Sequence, residues 1–410
     1  MTYGPGRPPR SGDRVKCASP MIQELAAALR VLRPRRVAET GRLAVQTREQ
    51  VEQLRRELVE LRRTAKTHRE QDAGRTRELS RQLAAARDGA EAAISGLRQR
   101  LEAVAAEVAV LRHEEAQLRF RESQLRATIA RDLELAARHQ ELDGLLNDPA
   151  IAADVRQRIA EASLQTDPFP YMVVDHLLPP RLYDALLLAI PPVELFSEHA
   201  ATPLNKRQMG VPFALAPAYS CRVWHYVANV LVRHTIMPAL VEKFRAPLRE
   251  WLLATLAADP ALMDALEMKV SDGRILLRGP GYNIPPHRDP KWGFVTGLLY
   301  LARPGDAPSH GTQLYAVEDD AEAIGAAPYW ISADRCRLVA DVENRSNRLL
   351  VFLNSAGAHG AVIPDDAPAS LQRYVYQFRI GPGREQIRTL LEAAPAPRRD
   401  AWKGKVVLEY

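Results

Sequence analysis

The feature that most constrains this chain is a long stretch without proline, from about Gln46 to Leu146, in which Ala, Leu, Arg, Glu and Gln dominate. Apolar residues recur there at alternating steps of three and four residues, which places them along one face of a helix. Such an apolar seam is typical of a coiled coil. Its more regular part consists of Leu97, Leu101, Val104, Val108, Leu111, Leu118, Leu125 and Ile129.

The seam is polar in the middle, where the same helical phase passes through His68, Asp72 and Arg75. A polar seam packs poorly, and nearby glycines weaken a helix, so we expect a break or a hairpin rather than one rigid rod. We interpret the region as a stalk for self-association or for docking a partner protein. The alternative is a solvated helix or a hairpin folded on its own domain. The glycines near the polar part of the seam, which contribute to the expected break, are Gly74, Gly89 and Gly96.

Charge, cysteine content and the N-terminal sequence argue against several classes of protein. The 56 basic and 50 acidic residues give a net charge of +6, and the arginines are scattered rather than clustered, which argues against nucleic-acid binding. Cys17, Cys221 and Cys336 lie far apart without a CxxC pair, so neither a disulfide framework nor a zinc-thiolate site is expected. The first residues are not followed by an apolar run of signal-peptide or membrane-helix length. We therefore predict a cytoplasmic protein that does not associate with membranes.

Composition divides the chain into five segments. We predict a disordered or partly helical start (1–40), the coiled coil (41–146), a linker with a short helix (147–166), a second domain (167–382) and a C-terminal tail (383–410). The second domain shows helical patterns first and short strand patterns afterwards, which predicts an α+β domain built on a sandwich or barrel. The predicted strands are 171–175, 274–277, 293–301, 312–317, 348–353 and 373–380.

The strongest chemical signal is the sequence PPHRDPKWGF, which contains His287 and Asp289. Side chains alternate between faces in an extended segment, so these two point the same way while Arg288 points away. That spacing suits two metal ligands on one rigid ledge. A third ligand must come from elsewhere, and His359 is well placed, in a Gly-rich turn after the apolar run RLLVFLN.

Two histidines and one carboxylate on one face of a metal form the facial triad of non-haem Fe(II) oxygenases, which leaves coordination positions open. A bidentate 2-oxo acid and dioxygen can occupy those positions. The remote carboxylate of the 2-oxo acid needs a buried cation. Arg373 begins the predicted strand RYVYQFRI, fourteen residues after His359, and its guanidinium can bind a carboxylate through two hydrogen bonds.

These motifs resemble the 2-oxoglutarate/Fe(II)-dependent oxygenases of the prolyl-4-hydroxylase-like branch. The resemblance covers roughly 167–380 and includes the sequences FVTGLLYLARPGDAPSHGTQLY and RLLVFLNSAGAHGAVIP. It implies a double-stranded β-helix, or jelly-roll, domain that follows the coiled coil. It also implies Fe(II) as cofactor, 2-oxoglutarate and dioxygen as co-substrates, a contact of Tyr300 with 2-oxoglutarate, and a position for Thr296 near it.

The chain departs from the family pattern in two places. Many members have a tyrosine nine residues before the first metal histidine, where this chain has Arg278, and Tyr282 is the candidate to replace that co-substrate contact. The interval from His359 to Arg373 is also longer than usual. Arg379 lies on the same strand face as Arg373 and is the alternative cation for 2-oxoglutarate.

The function we predict is a dioxygenase that hydroxylates an unidentified small-molecule, sugar or protein substrate and releases succinate and CO2. One alternative is a coiled-coil scaffold with a non-catalytic β-helix binding domain. The presence of all three candidate ligands and of Arg373 argues against it. A second alternative is a cupin-like metalloenzyme that does not use 2-oxoglutarate.

Overall fold

A computed structural model describes residues 46–61, 63, 78–197, 203–211, 213, 215–257, 259–289, 293–320 and 330–403. The chain divides into two compact units, Met1–Ser123 and Gln124–Tyr410. The predicted N-terminal segment, 1–40, lies outside the described residues. The same holds for the polar part of the seam and for Gly74.

The first unit is helical wherever it is described. Residues 46–61 form a helix, and the helix Glu78–Leu135 begins in this unit. That helix runs without interruption through Gly89 and Gly96, so neither of these two glycines breaks it. A glycine costs a helix about 1 kcal/mol relative to alanine, and the surrounding Ala, Arg, Glu and Leu residues favour the helix strongly enough to offset this. The break or hairpin expected around the polar part of the seam lies outside the described residues and stays a prediction.

The apolar seam of the first unit is only partly covered. Leu97 is buried, whereas Leu101 is 41% exposed and Val110, which lies off the seam, is 57% exposed. An exposed leucine at a seam position is compatible with a helix that packs against a partner, but it does not identify one. The coiled-coil assembly therefore stays a prediction.

The second unit contains the main hydrophobic core, to which Leu135 and Leu142 already belong. The predicted coiled coil, 41–146, therefore extends too far, because its last residues pack inside the second unit.

Within the described ranges, no helix has both the length and the apolar character needed to cross a membrane. Helices of the second unit include His139–Leu146, Pro149–Glu161, Pro180–Leu188, Ala218–His225, the π-helical Tyr226–Ile236, Met237–Lys243, Arg245–Leu256, Pro260–Asp264, Arg384–Ala393 and Ala396–Lys403.

The predicted linker, 147–166, contains the expected short helix, Pro149–Glu161, but it does not behave as a linker. Asp148 caps this helix, since its side chain accepts a hydrogen bond from the Ala150 amide at 2.9 Å. Apolar side chains spaced four residues apart then form one face that is buried in the core. These side chains are Ile151, Val155 and Ile159.

The predicted C-terminal tail, 383–410, also needs correction. Residues Arg384–Ala393 and Ala396–Lys403 are helical, and Leu390 and Trp402 belong to the main core with exposures of 2% and 1%. The Trp402 ring lies 5.8 Å from the Trp251 ring. The amphipathic pattern of REQIRTLLEA is too short to predict where the segment packs.

Two antiparallel sheets form the β part of the unit. The strands are β1 Leu164–Gln165, β2 Tyr171–Val174, β3 Arg207–Gly210, β4 Met268–Arg278, β5 Asn283–His287, β6 Val295–Tyr300, β7 Thr312–Val317, β8 Cys336–Val342, β9 Arg348–Leu353, β10 Ala358–Val362 and β11 Arg373–Pro382. The larger sheet has the strand order β1-β2-β9-β6-β11-β4-β3, and the smaller has the order β5-β10-β7-β8.

A second hydrophobic cluster joins the two sheets. Leu298, Phe352 and Val375 from the larger sheet pack in this cluster with Leu314 and Val342 from the smaller one. Two sheets that share a core in this way face each other, with helices packed on the larger sheet's main core. The predicted α+β class is confirmed by this mixture of helices and antiparallel sheets.

Docking of the C-terminal helices can be tested by core truncation. We expect Leu390→Ala to lower the free energy of unfolding by about 2–5 kcal/mol, because it removes buried apolar volume. The matched control is Leu253→Ala, since Leu253 is 55% exposed on the helix Arg245–Leu256, and its effect should stay within about 0.5 kcal/mol. Urea denaturation measures both. Equal effects would show that the C-terminal helices do not belong to the core.

Candidate functional site

Three buried side chains meet where β5 lies beside β10. His359 pairs directly with His287 across these antiparallel strands, and the two ring centroids are 4.2 Å apart. Asp289 follows two residues after His287, and its Oδ2 lies 3.9 Å from Nε2 of His359. One potential ligand atom from each residue lies within 4.8 Å of the others. The structure thus brings together the three residues that the sequence predicts as metal ligands.

His359 lies in strand β10 and not in the predicted Gly-rich turn. The neighbouring Gly360 explains the misleading sequence pattern. The pairing of β10 with β5 is irregular between His359 and Ala361, and a β-carbon at position 360 would lie 2.9 Å from the Ile284 carbonyl oxygen. Glycine is needed at this β-bulge because the two backbones approach closely, not because the chain turns.

The two histidines are prepared to act as neutral ligands. Nδ1 of His287 lies 2.9 Å from the Pro285 carbonyl oxygen, to which a neutral ring donates a hydrogen bond, so the lone pair is on Nε2. Burial lowers the pKa of His287. Burial, together with the neighbouring His287, lowers the pKa of His359 well below its ordinary value. Neither ring has to lose a proton at neutral pH before it can bind a metal.

Asp289 is held from both sides. The Thr296 hydroxyl donates to Oδ2 at 2.7 Å, and the Arg379 guanidinium donates to Oδ1 at 2.7 Å. Asn354 donates in turn to the Thr296 hydroxyl at 2.9 Å. Burial raises the pKa of the Asp289 carboxyl, while nearby positive charge and the Thr296 hydrogen bond oppose that shift. Thr296, predicted to lie near 2-oxoglutarate, therefore orients the candidate carboxylate ligand.

Arg288, between the two candidate ligands, points away from them as the strand alternation predicts. Its Nε donates to the Gly357 carbonyl at 2.8 Å, and its guanidinium forms a buried ion pair with Asp320. The other Asp320 oxygen accepts a hydrogen bond from the Gly357 amide at 2.8 Å. This network, the Arg288 latch, fixes the segment after β5 to the turn before β10. It therefore supports the spacing of His287 and His359.

A cavity of about 200 Å³ opens beside the three residues. Tyr282 and Arg373, two of the residues predicted to contact the co-substrate, also line it. Tyr300 is not among the lining residues that the structure describes; its hydroxyl donates to Thr312 at 2.8 Å, and Thr312 lines the cavity. A larger open groove of about 670 Å³ has none of the three candidate ligands in its lining, so the smaller cavity is the one associated with this chemistry.

Arg373 is a buried cation at the cavity wall, 5% exposed. One of its terminal nitrogens donates to the Gly311 carbonyl at 3.0 Å, and its guanidinium lies 5.5 Å from the centre of the Tyr300 ring. Its buried Nε has no hydrogen-bond partner among the residues that the structure describes. Burial lowers the pKa of Arg373, yet a guanidinium stays charged at neutral pH. Arg379, the alternative, already pairs with Asp289.

Several residues of the site were not predicted from the sequence. Asn354 acts only through Thr296, and this contact depends on the pairing of β9 with β6. Other cavity residues could have been found from strand alternation alone, because every second residue of β11 from Arg373 to Arg379 faces the cavity. Cavity-lining residues that the sequence did not single out include Val375 and Gln377 on β11, Arg274 and Leu276 on β4, Leu298 on β6, Ile284 on β5, Ala361 on β10 and Gln208 on β3.

No family model matches the chain, and no match is found among curated proteins. Among solved structures, a prolyl-4-hydroxylase from Pseudomonas putida matches with 16% identity and a TM-score of 0.28, over 57% of this chain and 98% of the other. AviO1 from Streptomyces viridochromogenes Tue57 matches with 14% identity and a TM-score of 0.32, over 60% and 96%. HygX from Streptomyces hygroscopicus, with nickel and 2-oxoglutarate bound, matches with 16% identity and a TM-score of 0.32, over 52% and 83%.

The support that Thr296 gives to Asp289 can be tested through metal affinity. Thr296→Val removes the hydroxyl but keeps the shape, so we expect divalent-metal affinity to fall about 10- to 100-fold, as for other residues that orient metal ligands. Thr296→Ser keeps the hydroxyl and should bind metal as the parent does. Competition with a chromophoric chelator measures all three proteins. Unchanged affinity in Thr296→Val would contradict this role.

Proposed function

We propose that the second unit is an Fe(II)- and 2-oxoglutarate-dependent dioxygenase. The observation that carries the proposal is the placement of a buried, incompletely bonded Arg373 guanidinium on the same cavity as His287, Asp289 and His359. A metal site alone would fit many reactions. A metal site that shares a cavity with a buried cation fits a co-substrate with a chelating group and a remote carboxylate.

The residues present fit Fe(II). Two neutral imidazoles and one carboxylate form the mixed nitrogen and oxygen donor set that non-haem Fe(II) sites use. His287, Asp289 and His359 would hold the ion from one side, which leaves the side toward the cavity for other ligands. When bound, Fe(II) would couple decarboxylation of 2-oxoglutarate by dioxygen to the oxidation of a substrate, with succinate and CO2 as co-products.

Protein side chains would do the positioning. The Arg373 guanidinium would bind the remote carboxylate of 2-oxoglutarate by charge-assisted hydrogen bonds, and its buried setting strengthens them. Leu276, Leu298 and Val375 line the cavity as well and would pack against the methylene groups of the co-substrate. Arg379 and Thr296 would keep Asp289 ionised and correctly turned, because both donate hydrogen bonds to it.

The proposal extends to the fold. We propose that the two facing sheets form a double-stranded β-helix, in which β5 and β10 of the smaller sheet carry the metal ligands. The alternatives from the sequence are a non-catalytic binding domain and a cupin-like metalloenzyme that does not use 2-oxoglutarate. Arg373 counts against either alternative in a form that binds no anion, because a buried, incompletely bonded guanidinium destabilises such a domain.

The role of Arg373 is tested by replacing its charge. We expect Arg373→Gln to weaken 2-oxoglutarate binding about 10- to 100-fold, since a charged hydrogen bond is lost, and to raise the 2-oxoglutarate KM for succinate formation. Metal affinity should stay at the parent value. Arg345→Gln is the control, because the Arg345 side chain is 57% exposed. Unchanged 2-oxoglutarate affinity in Arg373→Gln would rule out the proposed carboxylate site.

For the first unit we propose self-association through its apolar seam. Leu101 lies on the seam and is exposed, which suits contact with a second copy of the helix. Leu101→Asp should convert a dimer into a monomer, because it places a charge in the seam. Gln99→Asp, on an exposed position off the seam, should leave the dimer intact. Light scattering of the full chain measures the molar mass, and so the oligomeric state, of the parent and of both variants. A monomeric parent protein would contradict the proposal.

A further inference from the structure

The cavity carries more positive charge than the proposed cofactor and co-substrate require. Among the described residues, four arginines line it, Arg274, Arg278, Arg373 and Arg379, against one carboxylate, Asp289, which pairs with Arg379. A divalent metal would add two positive charges and 2-oxoglutarate two negative ones. With 2-oxoglutarate bound at Arg373, the positive charge of Arg278 would still attract a further anionic group.

Arg278 and Arg373 occupy directly opposite positions on the neighbouring strands β4 and β11. Like charges at opposite positions destabilise a sheet, and the charge of Arg278 further lowers the pKa of Arg373. Their head groups turn in different directions. Arg373 donates to Gly311, in front of β7, whereas Arg278 donates to the Arg207 carbonyl on β3. The two guanidiniums are thus anchored to different segments of the chain, one in front of β7 and one on β3.

The Arg278 guanidinium is held in place but is not neutralised. It is 8% exposed and donates to the carbonyls of Arg207 and Leu277 at 2.7 and 3.1 Å. It also stacks 4.8 Å from the centre of the Tyr282 ring. Its buried Nε has no hydrogen-bond partner among the residues that the structure describes. A cation fixed in this way, with a donor still available, is prepared to bind an anion.

Arg278 lies toward an exposed edge of the larger sheet. Strand β3 is at the edge of the larger sheet, and its Gln208 lines the cavity while remaining exposed. Arg278 reaches toward this edge strand. Arg373, in contrast, reaches toward the wall formed with Thr312, where the co-substrate carboxylate is proposed to bind.

We propose that Arg278 binds an anionic group of the primary substrate, a carboxylate or a phosphate, at a position distinct from the 2-oxoglutarate carboxylate at Arg373. This inference rests on the proposed function for the assignment of Arg373 to the co-substrate. Arg274 and Gln208 add a positive charge and a neutral donor near the same edge of the cavity. Arg278 is then a specificity-determining residue, and uncharged analogues of the substrate bind weakly.

The probes for this site are inorganic phosphate and acetate, which represent the two anionic groups. Each is titrated calorimetrically, in chloride-free buffer, into the full chain loaded with stoichiometric Ni(II) and saturating 2-oxoglutarate, so that the Arg373 position is occupied. We expect saturable binding of at least one probe, and the tighter one identifies the group. Arg278→Gln should weaken binding of that probe about tenfold or more, while its 2-oxoglutarate affinity stays within about twofold of the parent value. Arg278→Lys should retain part of the affinity, and Arg345→Gln all of it.

A second arm separates this inference from the proposed function. Arg373→Gln, titrated without 2-oxoglutarate, should still bind the preferred probe, and the double variant with Arg278→Gln should not. This arm gives an answer even when the parent protein does not bind 2-oxoglutarate. Two results overturn the inference. One is the absence of saturable probe binding in the parent, and the other is a loss of 2-oxoglutarate affinity in Arg278→Gln as large as in Arg373→Gln, which would place both arginines on one carboxylate.

Discussion

The pairing of β5 with β10 is the constraint on which the candidate site depends. It sets His287 directly opposite His359, and a slip of one residue would turn one of the rings to the other face of the sheet. Two features hold this register. Gly360 allows the close backbone approach at the bulge, and the Arg288 latch ties the end of β5 to the turn before β10.

The third candidate ligand depends on the other sheet. Asp289 lies beyond the end of β5, and both groups that hold its carboxylate, Thr296 on β6 and Arg379 on β11, belong to the larger sheet. These two residues are themselves cross-strand partners. The position of the Asp289 carboxylate therefore depends on the packing of the two sheets on their shared core.

Strand periodicity accounts for what the sequence could predict. Alternation along PPHRD correctly placed His287 and Asp289 together and Arg288 apart, because local geometry fixes side-chain direction in an extended chain. Contacts between distant segments could not be obtained in this way. The strand character of His359, the docking of 383–403 and the chain of contacts through Asn354 depend on pairing and packing partners that no local pattern specifies.

We propose that the triad and Arg373 bind a metal and a 2-oxo acid together. The most direct measurement is an anaerobic titration of the Fe(II)-loaded protein with 2-oxoglutarate, followed by the visible charge-transfer band of a chelated 2-oxo acid. We expect a saturable band in the parent protein, no band in His359→Ala, and in Arg373→Ala a titration midpoint at higher 2-oxoglutarate concentration. Stoichiometric Fe(II) binding without any band in the parent would contradict the proposal.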